Sequence, residues 1–226
     1  MKAMILAAGR GERMRPLTDT LPKPLLPVAG KPLIVHHLEA LALQGITEIV
    51  INCAWLADTL MATLGDGSRY GVSIRYSQEH TALETGGGIV QALPWLGDEP
   101  FVVINGDVLL SQWPDVKAIT LAEGCLGHLW LVTNPSHHTA GDFALNAEAL
   151  VYQAQDGEQT MTFSGMAVYH PSLFAAAPTG AFALGPWLRQ AMAQGHIQGE
   201  FWPHYWCDVG TVARLEQANI DLSQQQ

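Results

Sequence analysis

The chain is poor in cysteine and in positive charge. Its three cysteines, Cys53, Cys125 and Cys207, are far apart, odd in number and form no CxxC pair. Neither a disulfide framework nor a cysteine-based zinc site is signalled, and reduced thiols in a cytoplasm are expected. Eleven Lys and Arg stand against 21 Asp and Glu, a formal net charge of −10. Such a balance argues against nonspecific binding to nucleic acid or to an anionic membrane, both of which want a basic face. Long hydrophobic runs are also missing. The N-terminal apolar stretch, Ala3 to Ala8, runs straight into Gly9 and Arg10 and is too short for a signal-peptide core or a membrane span. No low-complexity tract or internal repeat is present. With 226 residues, 48 % of them hydrophobic, the chain suits one large domain, residues 1–226, with a sizeable core.

What is there is a rhythm. After the strand candidate Ala3 to Ala8, Pro32 opens a segment in which Ile34, Leu38, Leu41 and Ala42 recur at helical spacing, ending at Gly45. Ile49 to Cys53 is a β-branched run, Leu56, Leu60 and Leu64 repeat every four residues, and Val72 to Tyr76 alternates. A helix is predicted from about Gly86 to Leu93, closed by Pro94, and then the apolar run FVVI from Phe101. Continuous apolar strands alternating with amphipathic helices predict an α/β fold, a Rossmann-like doubly wound sheet with helices on both faces. Beyond Leu126 the pattern loosens. LWLV, ALVYQ and MAVYH read as strands with long connections, followed by helices over Pro186 to Gln194 and Val212 to Leu222. The second half therefore predicts a mixed sheet and a small β-rich elaboration able to cover a ligand.

Chemistry concentrates in the first loop, GRGERMRPLTDTLPKPLLP from Gly9. Ligands of α/β sheets sit beyond the carboxyl ends of the strands, where this loop begins. Gly9 and Gly11 allow successive N–H groups to converge on phosphate oxygens, and Arg10, Arg13, Arg15 and Lys23 add charge-assisted hydrogen bonds. Neither GxxxxGK[ST] nor a complete GxGxxG is present. A solvated basic loop is the alternative. Six of the eleven bases lie in residues 1–31, however, with only two of the 21 acids, Glu12 and Asp19; such segregation in an acidic chain points to a polyphosphate.

LAAGRGERMRPLTDTLPKPLLPVAGKP resembles the signature of the sugar-1-phosphate nucleotidylyltransferases, which join a nucleoside triphosphate to a sugar phosphate and release pyrophosphate. ETGGGI at Glu84, NGD at Asn105 to Asp107 and WCDVGTVARLEQAN from Trp206 follow in the family's order. The resemblance implies a nucleotide-binding half over about 1–110 and a sugar-binding half over about 111–226. It implies that the backbone of Ala7, Gly9 and Gly11, with Glu12 and Arg13, holds the triphosphate and that Lys23 holds the phosphates at the reacting centre. Arg13 and Lys23 would be the catalytic side chains. Gln78, Thr85, Gly86 and Asn105 would face the nucleotide, Asp107 and Asp208 would bind Mg2+, and Gly141, Asp142, Glu158 and Gly165 would face the sugar. Taken alone, Asp107 also reads as a turn aspartate and Asp208 as a helix N-cap. A carboxylate straight after an apolar strand is costly to bury unpaired, and a hard cation would relieve it.

The implied partners are a nucleoside triphosphate and a sugar 1-phosphate, with no nucleic acid or membrane. Among substrates the resemblance favours UTP and N-acetylmuramic acid α-1-phosphate. Guanylyl transfer to mannose 1-phosphate, thymidylyl or uridylyl transfer to glucose 1-phosphate, and a nucleotide-sugar sensing module without turnover are the alternatives. Two departures stand out: Glu84 replaces a glycine common in relatives, and the usual Glu-Lys-Pro is absent around Glu158. Adjacent helical residues diverge, so His36 and His37 are not expected to share an ion.

Overall fold

The computed structural model describes residues 1–223. In chain order the strands are β1 (Ala3–Leu6), β2 (Pro27–Val28), β3 (Lys31–Pro32), β4 (Glu48–Cys53), β5 (Ser73–Gln78), β6 (Phe101–Asn105), β7 (Val108–Leu110), β8 (Gly127–Val132), β9 (Ala144–Leu145), β10 (Val151–Tyr152), β11 (Thr162–Tyr169), β12 (Ile197–Phe201) and β13 (Trp206–Asp208). The helices are α1 (Leu33–Leu43), α2 (Ala57–Leu64), α3 (Glu84–Leu96), α4 (Leu184–Ala193) and α5 (Val212–Ser223). Seven strands form a mixed sheet, as the loosened pattern of the second half requires.

Two compact units are assembled from interleaved segments. One comprises Lys2–Ala82, Ile104–Pro114 and the chain from Tyr205 onward; the other comprises Leu83–Val103 and Asp115–His204, with Met1. The first unit carries the strand order β1-β4-β5, all parallel. Apolar residues on consecutive positions of β1 and β4 are buried on both faces, which is the signature of a covered parallel sheet. The second unit carries β12-β8-β11, in which β12 runs parallel to β8 and β11 antiparallel.

The predicted helix ending at Pro94 continues to Leu96. Proline so near a carboxyl end forfeits only one intrahelical bond, and Gly97, at φ 86°, closes the helix with its N–H on Leu93 O at 3.1 Å. At the other end of α3, Glu84 holds φ 57°. A left-handed side-chain residue costs about 1–2 kcal/mol, and glycine recovers that less about 0.5–1 kcal/mol of backbone entropy. Glu84→Gly is therefore expected to stabilise the fold by about 0.5 kcal/mol, read as a small rise in melting temperature; a fall would show that Glu84 makes compensating contacts.

Two fully or nearly fully buried histidines shape the acid response. Burial pulls His37 down to about 3 and His128 down to about 4; they are 1 % and 4 % exposed. Below pH 6.5 the unfolded chain binds protons at both positions that the folded chain refuses, so stability falls as pH drops until the folded values are reached. Each contributes a slope of up to about 1.4 kcal/mol per pH unit in that window. His37→Leu should flatten the decline in denaturant midpoint between pH 6.5 and 4; an unchanged slope would remove His37 from this account.

Candidate active site

Every residue expected at the reacting phosphates falls in the unit that contains β1. Gly11 sits at φ 68°, and a Cβ there would lie 3.0 Å from Thr18 Cγ2 and 3.1 Å from Lys23 Cβ. Glycine thus serves both the backbone angle and the close approach. The Thr18 hydroxyl donates to Gly11 O at 2.8 Å, and Trp55 Nε1 donates to Thr18 O at 2.9 Å. Met14, fully buried, drives the loop into a cluster with Leu26, Leu33, Leu109, Leu215 and Ala218. Through that cluster α5 packs beneath the loop, and Asn219 Oδ1 accepts the Ala29 N–H at 2.9 Å.

β1 ends in a second anchor. The Ala7 N–H donates to Asn52 Oδ1 at 2.8 Å, and Asn52 Nδ2 donates to Glu79 Oε1 at 2.7 Å. Ala7 therefore spends its N–H on seating the loop, while Gly9 is open to solvent, with nothing within 4 Å of an added Cβ. Glu12 opens a short 3-10 turn and Arg13 lies exposed beside Gly210. Gln78 ends β5 opposite Cys53, and Asn105 ends β6.

The two aspartates are brought side by side by β-pairing across a hundred residues of sequence. Asp208 is the register partner of Val108, and the Val209 N–H donates to Asp107 O at 2.7 Å. Asp107 is indeed in a turn, made possible by Gly106, whose N–H reaches Leu6 O at 2.8 Å and whose added Cβ would stand 2.7 Å from that same oxygen. Asp208 belongs to β13 and is not the N-cap of α5; Thr211 supplies that cap, accepting the Arg214 N–H at 3.3 Å. Each carboxylate faces a cation. Lys23 Nζ is 2.5 Å from Asp107 Oδ2, and Arg214 Nη1 is 3.2 Å from Asp208 Oδ1. Lys23 is only 9 % exposed, so its ammonium lies away from bulk water and opposite a carboxylate partner. Beside Asp208 in β13, burial lifts the Cys207 thiol to about 11, which leaves it protonated and inert near neutral pH.

Two carboxylates flanked by two cations offer hard oxygen donors of the type magnesium accepts, one or two from protein and the rest from phosphate and water. The residues fit such an ion. Among the described residues no group of three or more His, Cys, Asp and Glu side chains is gathered as a metal cage. His36 Nε2 lies 2.9 Å from Val28 O, whereas His37 is buried beside Trp113, so the pair does diverge.

The remaining candidates lie in the other unit. Thr85 is exposed in the first turn of α3, but Gly86 is buried: its N–H donates to Phe182 O at 3.0 Å and a Cβ would overlap the Phe182 ring. The glycines of ETGGGI thus admit the Gly180–Phe182 segment. Gly165, at φ 79°, makes the bulge where β11 shifts register against β8. Gly141, at φ 61°, lies against Asn134 and Thr160. Both Asp142 oxygens are engaged, Oδ1 with His138 Nε2 at 2.9 Å and Oδ2 accepting the Phe163 N–H at 2.8 Å. Glu158 is exposed, accepts the Gln155 N–H at 2.8 Å, and helps line a cavity of about 470 Å³ with Thr133, Gln159, Met161 and Phe201. Sequence reasoning missed Asn52, Glu79, Thr18, Trp55 and Arg214. A polar residue at the end of an apolar strand, as Asn52 is, was the one local signal available.

A family model described as nucleotidyl transferase matches residues 2–123. The chain is 53 % identical to an N-acetylmuramate alpha-1-phosphate uridylyltransferase of Neisseria meningitidis serogroup B, with 96 % of each chain covered. It is 36 % identical to an enzyme of that name from Caulobacter vibrioides, over 92 % of this chain and 91 % of the relative. In fold it matches a UDP-glucose pyrophosphorylase solved with UDP-glucose, with a TM-score of 0.80 at 18 % identity, over 100 % of this chain and 99 % of that one.

Proposed function

The chain belongs to the nucleotidyl transferase family, and from that premise we propose that it transfers the uridylyl group of UTP to N-acetylmuramic acid α-1-phosphate, releasing pyrophosphate. The observation that carries the substrate assignment is the 53 % identity to the Neisseria enzyme across 96 % of both chains. A cytoplasmic role in recycling cell-wall sugar follows from that substrate; no helix among the described residues is long and apolar enough to cross a membrane.

The attacking group is a phosphate monoester, already largely ionised near neutral pH because its second pKa is about 6. No general base is required. The barrier is the approach of one polyanion to another, in line with the departing pyrophosphate, so catalysis reduces to positioning and charge compensation. Lys23, fixed against Gly11 and Asp107, supplies a preorganised positive charge where charge builds on the transferred phosphoryl group. Arg13 supplies a second cation at the exposed loop, and the N–H groups around Gly9 and Gly11 grip the triphosphate. Asp107 and Asp208 would hold magnesium, which when bound screens the phosphates and orients them. Gln78, Asn105 and Thr85 are assigned to the nucleotide, and Gly141, Asp142, Glu158 and Gly165 to the sugar side, with Gly86, Gly141 and Gly165 shaping the backbone and not touching ligand through side chains. This reading keeps the division into a nucleotide-binding and a sugar-binding half.

Pyrophosphate release across a panel of nucleoside triphosphates and sugar 1-phosphates tests the proposal. UTP with N-acetylmuramic acid α-1-phosphate should give the highest kcat/KM. A higher value for GTP with mannose 1-phosphate, or for glucose 1-phosphate, would overturn the substrate, and binding without turnover of any pair would overturn the enzyme.

A further inference from the structure

Of the six bases in residues 1–31, four are tied to carboxylates: Lys2 to Glu48 at 3.3 Å, Arg15 to Asp19 at 2.7 Å, Lys23 to Asp107 at 2.5 Å and Lys31 to Glu39 at 2.5 Å. Arg10 is held in another way. Its guanidinium carbon stands 4.5 Å from the centroid of the Trp55 ring, and its nearest carboxylate is Glu12 at 3.9 Å, with both side chains at least half exposed. A cation over an indole uses the flat face of the guanidinium. Its five N–H donors lie in the guanidinium plane and stay available to a ligand while the face is occupied.

The platform is itself anchored to the phosphate loop. Trp55 Nε1 donates to Thr18 O, and the Thr18 hydroxyl donates to Gly11 O. Thr18 is 2 % exposed, so this two-bond chain is shielded from competing water. Gly11 in turn lies against the Lys23 stem. Arg10 is therefore one residue, about 3.8 Å of backbone, from the glycine that touches the reacting-centre lysine, and its charge is set by a ring pinned to that same glycine. Arg10 is not needed to neutralise a buried charge: the arginine is half exposed, and Glu12 is 72 % exposed and solvated.

We infer that Arg10 is an outer cation for the terminal phosphates of the nucleoside triphosphate and for departing pyrophosphate, with Trp55 as its positioning residue. The inference rests on the reading of the Gly9–Gly11 loop as the triphosphate site and adds a specific pair of side chains to it. The Glu12 carboxylate is displaced by the incoming phosphate, which carries more charge and matches the guanidinium fork.

Calorimetric titration of the full chain with pyrophosphate, UTP and UMP, in magnesium buffer at two salt concentrations, tests it. Arg10→Gln should weaken pyrophosphate and UTP by about fivefold at low salt, the scale of one exposed charge-assisted contact, with UMP held within twofold. Raised salt should shrink that difference, because an exposed cation is screened. Arg10→Lys should recover part of the loss. Trp55→Leu should reproduce the loss in the native background and add less than twofold when combined with Arg10→Gln. Unchanged pyrophosphate affinity in Arg10→Gln, or equal losses for UMP, would overturn the inference, and native affinity in Trp55→Leu would remove the positioning role. Pyrophosphate binding decides the point whatever the sugar or base: failure of UTP to bind alongside an intact Arg10 effect on pyrophosphate would sink the nucleotide reading and leave the cation standing.

Discussion

Lys23→Ala is expected to lower kcat by about 10²-fold or more, the scale of losing one preorganised electrostatic contact in a sheltered site. The size of the effect follows from burial: at 9 % exposure no water can replace the ammonium as effectively as it would on a surface. The same substitution removes the partner of Asp107, whose side chain is 36 % exposed. The stability cost should therefore be nearer about 1–2 kcal/mol than the 3–5 kcal/mol of a fully buried pair. Lys23→Met separates the two effects. It keeps the hydrocarbon stem against Gly11 while deleting the charge, so steady-state rates should fall as in Lys23→Ala with a smaller drop in melting temperature. Near-native turnover in both variants would withdraw Lys23 from the chemistry.

Asp107→Asn and Asp208→Asn should each reduce magnesium-dependent turnover by about 10³-fold or more, the kinetic equivalent of the several kcal/mol a bound cation supplies to phosphoryl chemistry. Both changes preserve side-chain shape and the strand pairing of β7 with β13, so a loss reports charge and ligation. Magnesium should raise the melting temperature of the native chain in the presence of UTP and leave both variants unmoved. Full activity of the native chain in excess chelator would refute the metal role outright. The cations already facing these carboxylates sharpen the expectation: Lys23 and Arg214 would share the aspartates with a bound metal, so removing either carboxylate also strands a positive charge.

Local chemistry made much of this protein legible before its structure. The alternation of buried strands with amphipathic helices depends on side-chain period, which is written residue by residue. The opening loop stands out because glycines, prolines and cations crowd one short stretch, the local properties that the proposed phosphate binding would draw on. Even Pro94 misled by only a few residues, since its effect is confined to one turn.

What the chain alone determined was the set of parts: an α/β alternation, a cation-rich glycine loop and two aspartates in separate motifs. Tertiary structure decided which parts meet. Lys23 and Asp107 are 84 residues apart, Asp107 and Asp208 are brought together by the pairing of β7 with β13, and the Trp55–Thr18–Gly11 chain links two loops that share no motif. Such meetings depend on strand register and on how helices pack against hydrophobic clusters, which are sums over the whole core, and no single stretch of sequence carries them.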